Sequence, residues 1–443
     1  MTPAGELALF GGPPVLRREA HRTWPIVGED ERQAALRVLD RGILSGPFGP
    51  EVTELQREFA RYVGAKHCLV TSSGTSALII ALAGVGVGAG DEVIVPAYSF
   101  VATPLAVLQL GAIPVFADVD EATGCVDPAA VEAAITTRTR AVMPVHIHGC
   151  AAAMDSLGDI ARRRGLKLVE DAAQAHGAQF DGRPVGAIGA AGGFSLQSSK
   201  NLPAGEGGLF VTNDDAVAIE AGSARNFGQD LTASDEREYE LVRPLDGSRA
   251  LHSRRSGSMH RGSELMAAFA RAQLARLPER TAACQRNAQR LARRLADLPG
   301  VLPPLVPQGR SSVHHKFRVR LDPARAGLRG SPERLRDIIS KALIAEGLEV
   351  VQWQSAPLPA QPIFQRRARA DGFPEPFTQS SGSATDLSRN YDPSRYPRTI
   401  ALLAGSLVLF SQSCPLIAQT EDTVDRYADA FERVWRHREK LTA

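Results

Sequence analysis

The chain has 443 residues, 44% of them hydrophobic, and its 51 Lys and Arg against 49 Asp and Glu leave a formal net charge of +2. That length exceeds the usual range of a single core, so two lobes are expected. The near balance of charge, without a long basic run, leaves no case for a nucleic-acid partner or an anionic membrane.

The N-terminal run Leu7–Phe10 is too short for a signal-peptide core and has no basic start, and no segment is long and apolar enough to span a bilayer. The five cysteines are widely spaced and form no CxxC pair, which fits a reducing compartment; a cytoplasmic location is expected. From Glu51 to Thr212, helical patterns alternate with short β-rich runs at 68–71, 92–95, 114–117, 141–145, 167–170, 193–196 and 209–212. Continuous apolar strands joined by helices imply a mostly parallel sheet covered on both faces, hence an α/β lobe. Residues 229–255 are polar and read as an exposed excursion, whereas 263–298 read as a long helix that bridges the lobes, kinked or split at Pro278. The remainder predicts a strand at 316–321 and helices near 333–346 and 422–437, with the Pro-, Ser- and Arg-rich stretch 357–398 as extended surface structure. The expected division is 1–265 for the large domain with an N-terminal arm, and 266–443 for a smaller C-terminal domain.

Lys200 is one of only six lysines and lies where the run Gly193-Phe-Ser-Leu196 passes into the turn Gly205-Glu-Gly-Gly208. A primary amine at a strand edge, among small residues that let a planar ring approach, suits a lysine that forms a Schiff base with pyridoxal phosphate. The other lysines, Lys66, Lys167, Lys316, Lys341 and Lys440, read as surface charges.

Three further motifs stand at strand exits, where open α/β sheets bind ligands. In Ser72-Ser-Gly-Thr-Ser-Ala-Leu78, the helix start with Ser73, Gly74 and Thr75 suits a phosphate dianion, and an ordinary N-cap explains it equally well alone. In Glu170-Asp-Ala-Ala-Gln-Ala-His-Gly177, Asp171 suits the pyridine nitrogen of that cofactor, and Gln174, one helical turn on, suits its ring oxygen; an acidic N-cap is the plainer alternative for Asp171. In Pro96-Ala-Tyr-Ser-Phe100, either Tyr98 or Phe100 suits stacking on the ring, although core packing is the commoner fate of a lone aromatic. Ser195 is placed to reach the phosphate, and Asn226 in Ala224-Arg-Asn-Phe-Gly228 is a further amide candidate.

Taken together, Ser73-Gly-Thr75, Glu170 to Gly177, Phe194-Ser195 with Lys200-Asn and Gly205-Glu-Gly-Gly208, and Arg225-Asn-Phe-Gly228 resemble the DegT/DnrJ/EryC1/StrS family of pyridoxal-phosphate sugar and cyclitol aminotransferases. The resemblance implies a fold-type-I enzyme with a mainly parallel seven-stranded sheet, a smaller C-terminal α/β domain, and a homodimer with shared active sites. It implies that Lys200 carries the Schiff base, Asp171 pairs with the ring nitrogen, Gln174 lies near the ring oxygen and Phe100 stacks on the ring. It also assigns Gly74, Thr75 and Ser195 to the phosphate, and Asn226 to a position supplied by the partner subunit. Glutamate or glutamine would be the donor, and a keto sugar or keto cyclitol of amino-sugar or antibiotic biosynthesis the acceptor. Family dehydratases carry histidine in place of the lysine, so Lys200 favours transamination over that alternative. A regulatory or binding protein that keeps the fold without turnover is the other alternative.

His146 and His148 follow the run 141–145 toward the same sheet edge; a hydrogen-bonded structural role is favoured over a proton shuttle, and no metal-ligand spacing accompanies them. Arg261, in Met259-His-Arg-Gly-Ser-Glu264, suits an anionic part of donor or acceptor, against the alternative of a surface arginine.

Overall fold

The computed structural model describes residues 6–229, 253–365 and 391–442. Each apolar run up to Thr212 forms a strand: β1 His67–Thr71, β2 Glu92–Pro96, β3 Ile113–Ala117, β4 Thr139–Val142, β5 Lys167–Asp171, β8 Ala191–Ser195 and β9 Gly208–Thr212, with a small hairpin of β6 Gln179–Phe180 and β7 Arg183–Pro184 between. The seven long strands make one sheet in the order β1-β9-β8-β5-β4-β2-β3. β9 alone runs against the rest, pairing antiparallel with β1 and β8, while all other pairs are parallel. The fold is therefore α/β with a mainly parallel seven-stranded sheet.

Helices α1 Glu29–Arg41, α2 Pro50–Val63, α3 Gly74–Gly84, α4 Ala102–Leu108, α5 Pro128–Ala134, α6 Met154–Arg164 and α7 Asp215–Arg225 surround this sheet. Burial from both sides explains why β2, β3, β8 and β9 are buried at every position and read as unbroken apolar runs. α3, with the sequence Gly-Thr-Ser-Ala-Leu-Ile-Ile-Ala-Leu-Ala-Gly, is apolar all round because it is enclosed between the sheet, α4 and α7. Its Leu78, Ile80 and Leu82 are almost wholly out of water, each contributing about 2 kcal/mol of apolar burial.

α8, Glu264–Ala296, continues through Pro278 as one helix of 33 residues, so the proline does not split it. Ser263 caps it by accepting the N–H of Met266 at 3.3 Å. Its first half, with Met266, Ala270, Leu274 and Leu277, packs in the core beside α2 and the large sheet. Its second half, with Cys284, Ala288, Leu291 and Leu295, belongs to another core built around a four-stranded antiparallel sheet. That sheet holds β10 Val301–Leu302, β11 Phe317–Leu321, β12 Val350–Val351 and β13 Ser406–Leu409 in the order β10-β11-β13-β12, and α9 Pro332–Ala345 and α11 Glu421–Arg436 pack with it. Leu7, Leu16 and Trp24 from the start of the chain are buried in this second core.

The expectation of surface structure across 357–398 is corrected at both described ends. Leu358, Phe364 and Tyr396 are buried with Phe116 and Val107 against the large sheet, and α10, Pro397–Gly405, begins directly after Tyr396. Single aromatic anchors among prolines bury area without any period, so the sequence pattern hides them. Residues 366–390 lie outside the described residues, as do 230–252 of the polar excursion. Among the described residues no helix is long and apolar enough to cross a membrane, and no cluster of His, Cys, Asp or Glu is arranged to hold a metal ion. All five cysteines are buried and none forms a disulfide.

Candidate active site

The exits of β1, β2, β5 and β8 open on a cavity of about 410 Å³ that the second lobe closes. Its wall brings together Ser73, Gly74, Thr75, Phe100, Asp171, Gln174, Ser195 and Lys200. Asn226 is not among them: it is buried elsewhere, and its amide donates to Gln229 Oε1 at 2.9 Å.

Ser73 is the N-cap of α3, accepting the N–H of Ser76 at 3.0 Å, so the plainer reading of that serine holds. The cap leaves the N–H groups of Gly74 and Thr75, the first two of the helix, without an acceptor among the described residues and at the cavity wall. The glycines here are required by close approach. A Cβ on Gly74 would stand 2.6 Å from Ser195 Cβ, and one on Gly208 only 2.3 Å from Ser73 O. With the hydroxyls of Thr75 and Ser195 beside these donors, the turn is a cradle for an oxyanion, and the residues present fit a phosphate.

Asp171 ends β5, buried to 4% exposure. Its Oδ2 accepts the hydroxyl of Thr103 at 2.8 Å and its Oδ1 the N–H of Ala173 at 3.1 Å. Burial raises its carboxyl above the ordinary value, opposed by those two hydrogen bonds and by the charge of Lys200. Lys200 sits in the turn after β8, its N–H donating to Gln197 O at 2.8 Å and its carbonyl accepting Trp24 Nε1–H at 3.0 Å. Burial holds its ammonium down at about 8, against the opposite pull of Asp171 and Glu206. The cavity thus joins an amine that sheds its proton easily to a carboxyl shielded from water, the combination typical of reactive sites.

Gln174 lies in a turn rather than one helical turn beyond Asp171, because β5 passes straight into the loop. Its Oε1 accepts the N–H of His148 at 2.8 Å, which leaves the amide NH₂ as its donor end at the cavity. Phe100 is 57% exposed and lines the rim, whereas Tyr98 is core, packed edge-on to His148 and Trp353.

The two histidines are structural. His146 Nδ1 accepts the N–H of Ala152 at 3.0 Å, which makes Nε2 the protonated nitrogen, and it donates to Glu170 at 3.0 Å. Glu170 also accepts the N–H groups of Gly186, Ile188 and Gly189, so it fastens the loop before β8 and takes no part in the cavity. His148 is buried with φ 55°, and burial next to Arg318, Lys316 and Lys200 keeps its ring neutral. Arg261 pairs its backbone with Thr71 behind the α3 turn and does not line the cavity.

Sequence reasoning missed Thr103, Glu206, His315, Lys316, Trp353 and Gln412, all of which line the cavity. The reading of Lys316 as a surface charge is corrected: it is only 5% exposed. A signal was present. Phe317-Arg-Val-Arg-Leu321 alternates, its apolar set facing the second core, so the opposite face carries Lys316, Arg318 and Arg320 toward the large lobe.

The sequence profile of the DegT/DnrJ/EryC1/StrS aminotransferase family matches residues 25–381. The chain is 40% identical to an L-glutamine:scyllo-inosose aminotransferase of Streptomyces griseus, over 97% of both chains, and 36% identical to an L-glutamine:2-deoxy-scyllo-inosose aminotransferase of Streptomyces lividus, over 99% of this chain and 100% of that one. Among solved structures, 3-amino-5-hydroxybenzoic acid synthase superposes with a TM-score of 0.78 at 31% identity, covering 95% of this chain and 100% of its own. DesI, solved in the presence of its TDP-sugar product, gives a TM-score of 0.75 at 31% identity, covering 99% and 98%.

Proposed function

Since the chain belongs to the DegT/DnrJ/EryC1/StrS aminotransferase family, we propose that it uses pyridoxal phosphate to move the amino group of L-glutamine onto a keto cyclitol of the inosose type. The observation that carries this reading is the meeting, in one cavity, of Lys200, the buried Asp171 and the open N-terminal turn of α3. When bound, pyridoxal phosphate supplies a carbonyl that takes up amino groups and a ring that spreads the electrons released at the substrate carbon.

Each side chain then has a task. Lys200 Nζ would hold the cofactor, and it would carry the proton to and from the substrate carbon as general base and acid. Asp171 would keep a proton on the ring nitrogen, and the Gln174 amide would donate to the ring oxygen. Gly74 and Thr75 N–H groups, with the Thr75 and Ser195 hydroxyls and the capping Ser73, hold the phosphate. Phe100, at the rim, would cover the ring. The polar remainder of the wall, including Gln197, Ser199, Glu206 and Gln412, offers donors and acceptors suited to the hydroxyls of an uncharged polyol.

The likeness to DesI supports a second acceptor, a nucleotide-linked keto sugar. Absorbance separates them. Protein purified with pyridoxal phosphate should be yellow, lose that colour on adding L-glutamine, and regain it with an inosose but not with a nucleotide-linked keto sugar. A colourless protein that takes up no pyridoxal phosphate would sink the whole reading.

A homodimer in a cytoplasmic setting belongs to the same proposal, as does the division 1–265 and 266–443, except that the N-terminal arm, expected in the large domain, is counted in the second lobe because Leu7, Leu16 and Trp24 pack in its core. Beside Asn226 the surface exposes Phe227 at 46% and Met259 at 52%, and Phe48 is exposed at 68%. Large apolar groups in that number suit a covered face, with Asn226 delivered into the neighbouring subunit's cavity. Sedimentation should give twice the chain mass; a fully active monomer would remove the partner role of Asn226.

A further inference from the structure

β11 and its lead-in present three cations on one face, and two of them are committed to the large lobe. Arg318 donates to Ala122 O at 2.9 Å, and Arg320 donates to Glu121 O at 2.8 Å and pairs with its carboxylate at 3.2 Å. Lys316 differs. It is 5% exposed, yet its ammonium has no hydrogen bond or ion pair among the described residues. It stands in the wall between the main cavity and a water-sized chamber of about 20 Å³, and it is the one residue that lines both.

The Lys316 backbone is held firmly. Its N–H donates to His148 O at 3.4 Å, and the N–H of His148 in turn donates to Gln174. Asn201, next to Lys200, donates to Val313 O at 3.0 Å and bonds the His315 ring at 3.4 Å, which ties the Lys316 segment to the Lys200 turn. Burial, and after it the like charge of Lys200, pushes the Lys316 ammonium down to about 8. The carboxylates of the same wall, Asp171 and Glu206, act on Lys200 and neither is bonded to Lys316, so a cation enclosed in this way is stabilised by an anion brought in from solution.

We infer that Lys316 receives the α-carboxylate of the amino donor and thereby selects amino acids as donors, an assignment that rests on the aminotransferase reading. The other ligands of the reaction leave this role open. The phosphate of the cofactor has its own cradle at α3, and an inosose carries no charge, so the donor's carboxylate is the anion that remains. A nucleotide-linked acceptor would bring a second anion, and the test separates the two sources.

The experiment follows the two half-reactions separately, with the cofactor-loaded protein and its Lys316→Met and Lys316→Arg variants, by the change in cofactor absorbance. L-Glutamine is compared with L-glutaminol, which lacks the carboxylate. Wild type should prefer glutamine strongly. Lys316→Met should lower kcat/KM for glutamine by about 100-fold, mainly through KM, as for loss of one partner of a buried charge pair. It should change the glutaminol reaction, and the reaction of the aminated enzyme with an inosose, by less than about threefold, while Lys316→Arg should recover glutamine to within about tenfold. Equal losses for glutamine and glutaminol, or a loss confined to the acceptor half-reaction, would overturn the assignment. Absence of any cofactor band in wild type would instead overturn the aminotransferase reading beneath it.

Discussion

Replacing Lys200 with alanine is expected to cut single-turnover amino transfer from glutamine by about 10⁴-fold, the upper range of what one positioned acid–base group supplies. The turn that carries Lys200 does not depend on its side chain. Ser199 donates to the Gln197 side chain at 2.8 Å from its N–H and at 2.6 Å from its hydroxyl, while the Lys200 backbone is held by Gln197 O and Trp24. The variant should therefore fold, and its unfolding midpoint should match wild type. Because the change leaves a void the size of the lost stem, added methylamine or ethylamine should restore part of the rate. Retention of more than about a tenth of the wild-type rate would mean that Lys200 is not the proton carrier.

The sign of the pH effect follows from the position of the amine. In the cofactor-free protein Lys200 titrates at about 8, well below an ordinary lysine, and only its neutral form adds to a carbonyl. Covalent uptake of pyridoxal phosphate should rise roughly tenfold per pH unit below that value and level off above it. Uptake that is flat across the range would show that the amine is not limited by its proton.

Asp171→Asn is expected to give the next largest loss, about 10³-fold in kcat, equivalent to about 4 kcal/mol of transition-state stabilisation. The substitution isolates charge from shape. At present the Thr103 hydroxyl donates to Asp171, so the Ser99 hydroxyl, 2.9 Å from Thr103, donates to Thr103 in turn. With the amide, both hydroxyls can rotate: Thr103 accepts from the new NH₂ and donates to Ser99, and the amide oxygen keeps the N–H of Ala173. The site is preserved, but the group opposite the ring nitrogen no longer draws a proton there. Cofactor binding should weaken far less than kcat falls, measured by titration against rapid-mix kinetics. A loss that resides entirely in cofactor affinity would assign Asp171 to binding alone.

Legibility in the sequence divides along physical lines. The large sheet could be read strand by strand because each strand is buried on both faces and bounded by turn residues. The meeting of Ser73, Asp171, Ser195 and Lys200 at one cavity could be read because each lies at a strand end or in the turn beyond it, where position along the chain fixes position in space. Lys316 could not be read this way. Its approach to the cavity depends on how the second lobe lies against the first, and no local pattern encodes that. The burial of Leu358, Phe364 and Tyr396 is likewise a long-range event, visible only once Phe116 is seen to need a partner. Gln174 lines the cavity from a turn and not from a helix, a difference the sequence hides because a turn and the first turn of a helix share the same short spacing.

The continuous helix Glu264–Ala296 has one more implication, for recombination between related chains. Because its two halves are embedded in different cores, a crossover placed in the helix would seem to exchange one lobe for another. Yet Leu7, Leu16 and Trp24 pack inside the second core, and Trp24 also lies under the Arg280 guanidinium, 5.4 Å from its ring centre. An exchanged second lobe must therefore travel as two separated pieces of chain, the first residues and the last third, and a parent that donates only the latter leaves the hybrid with a mismatched core.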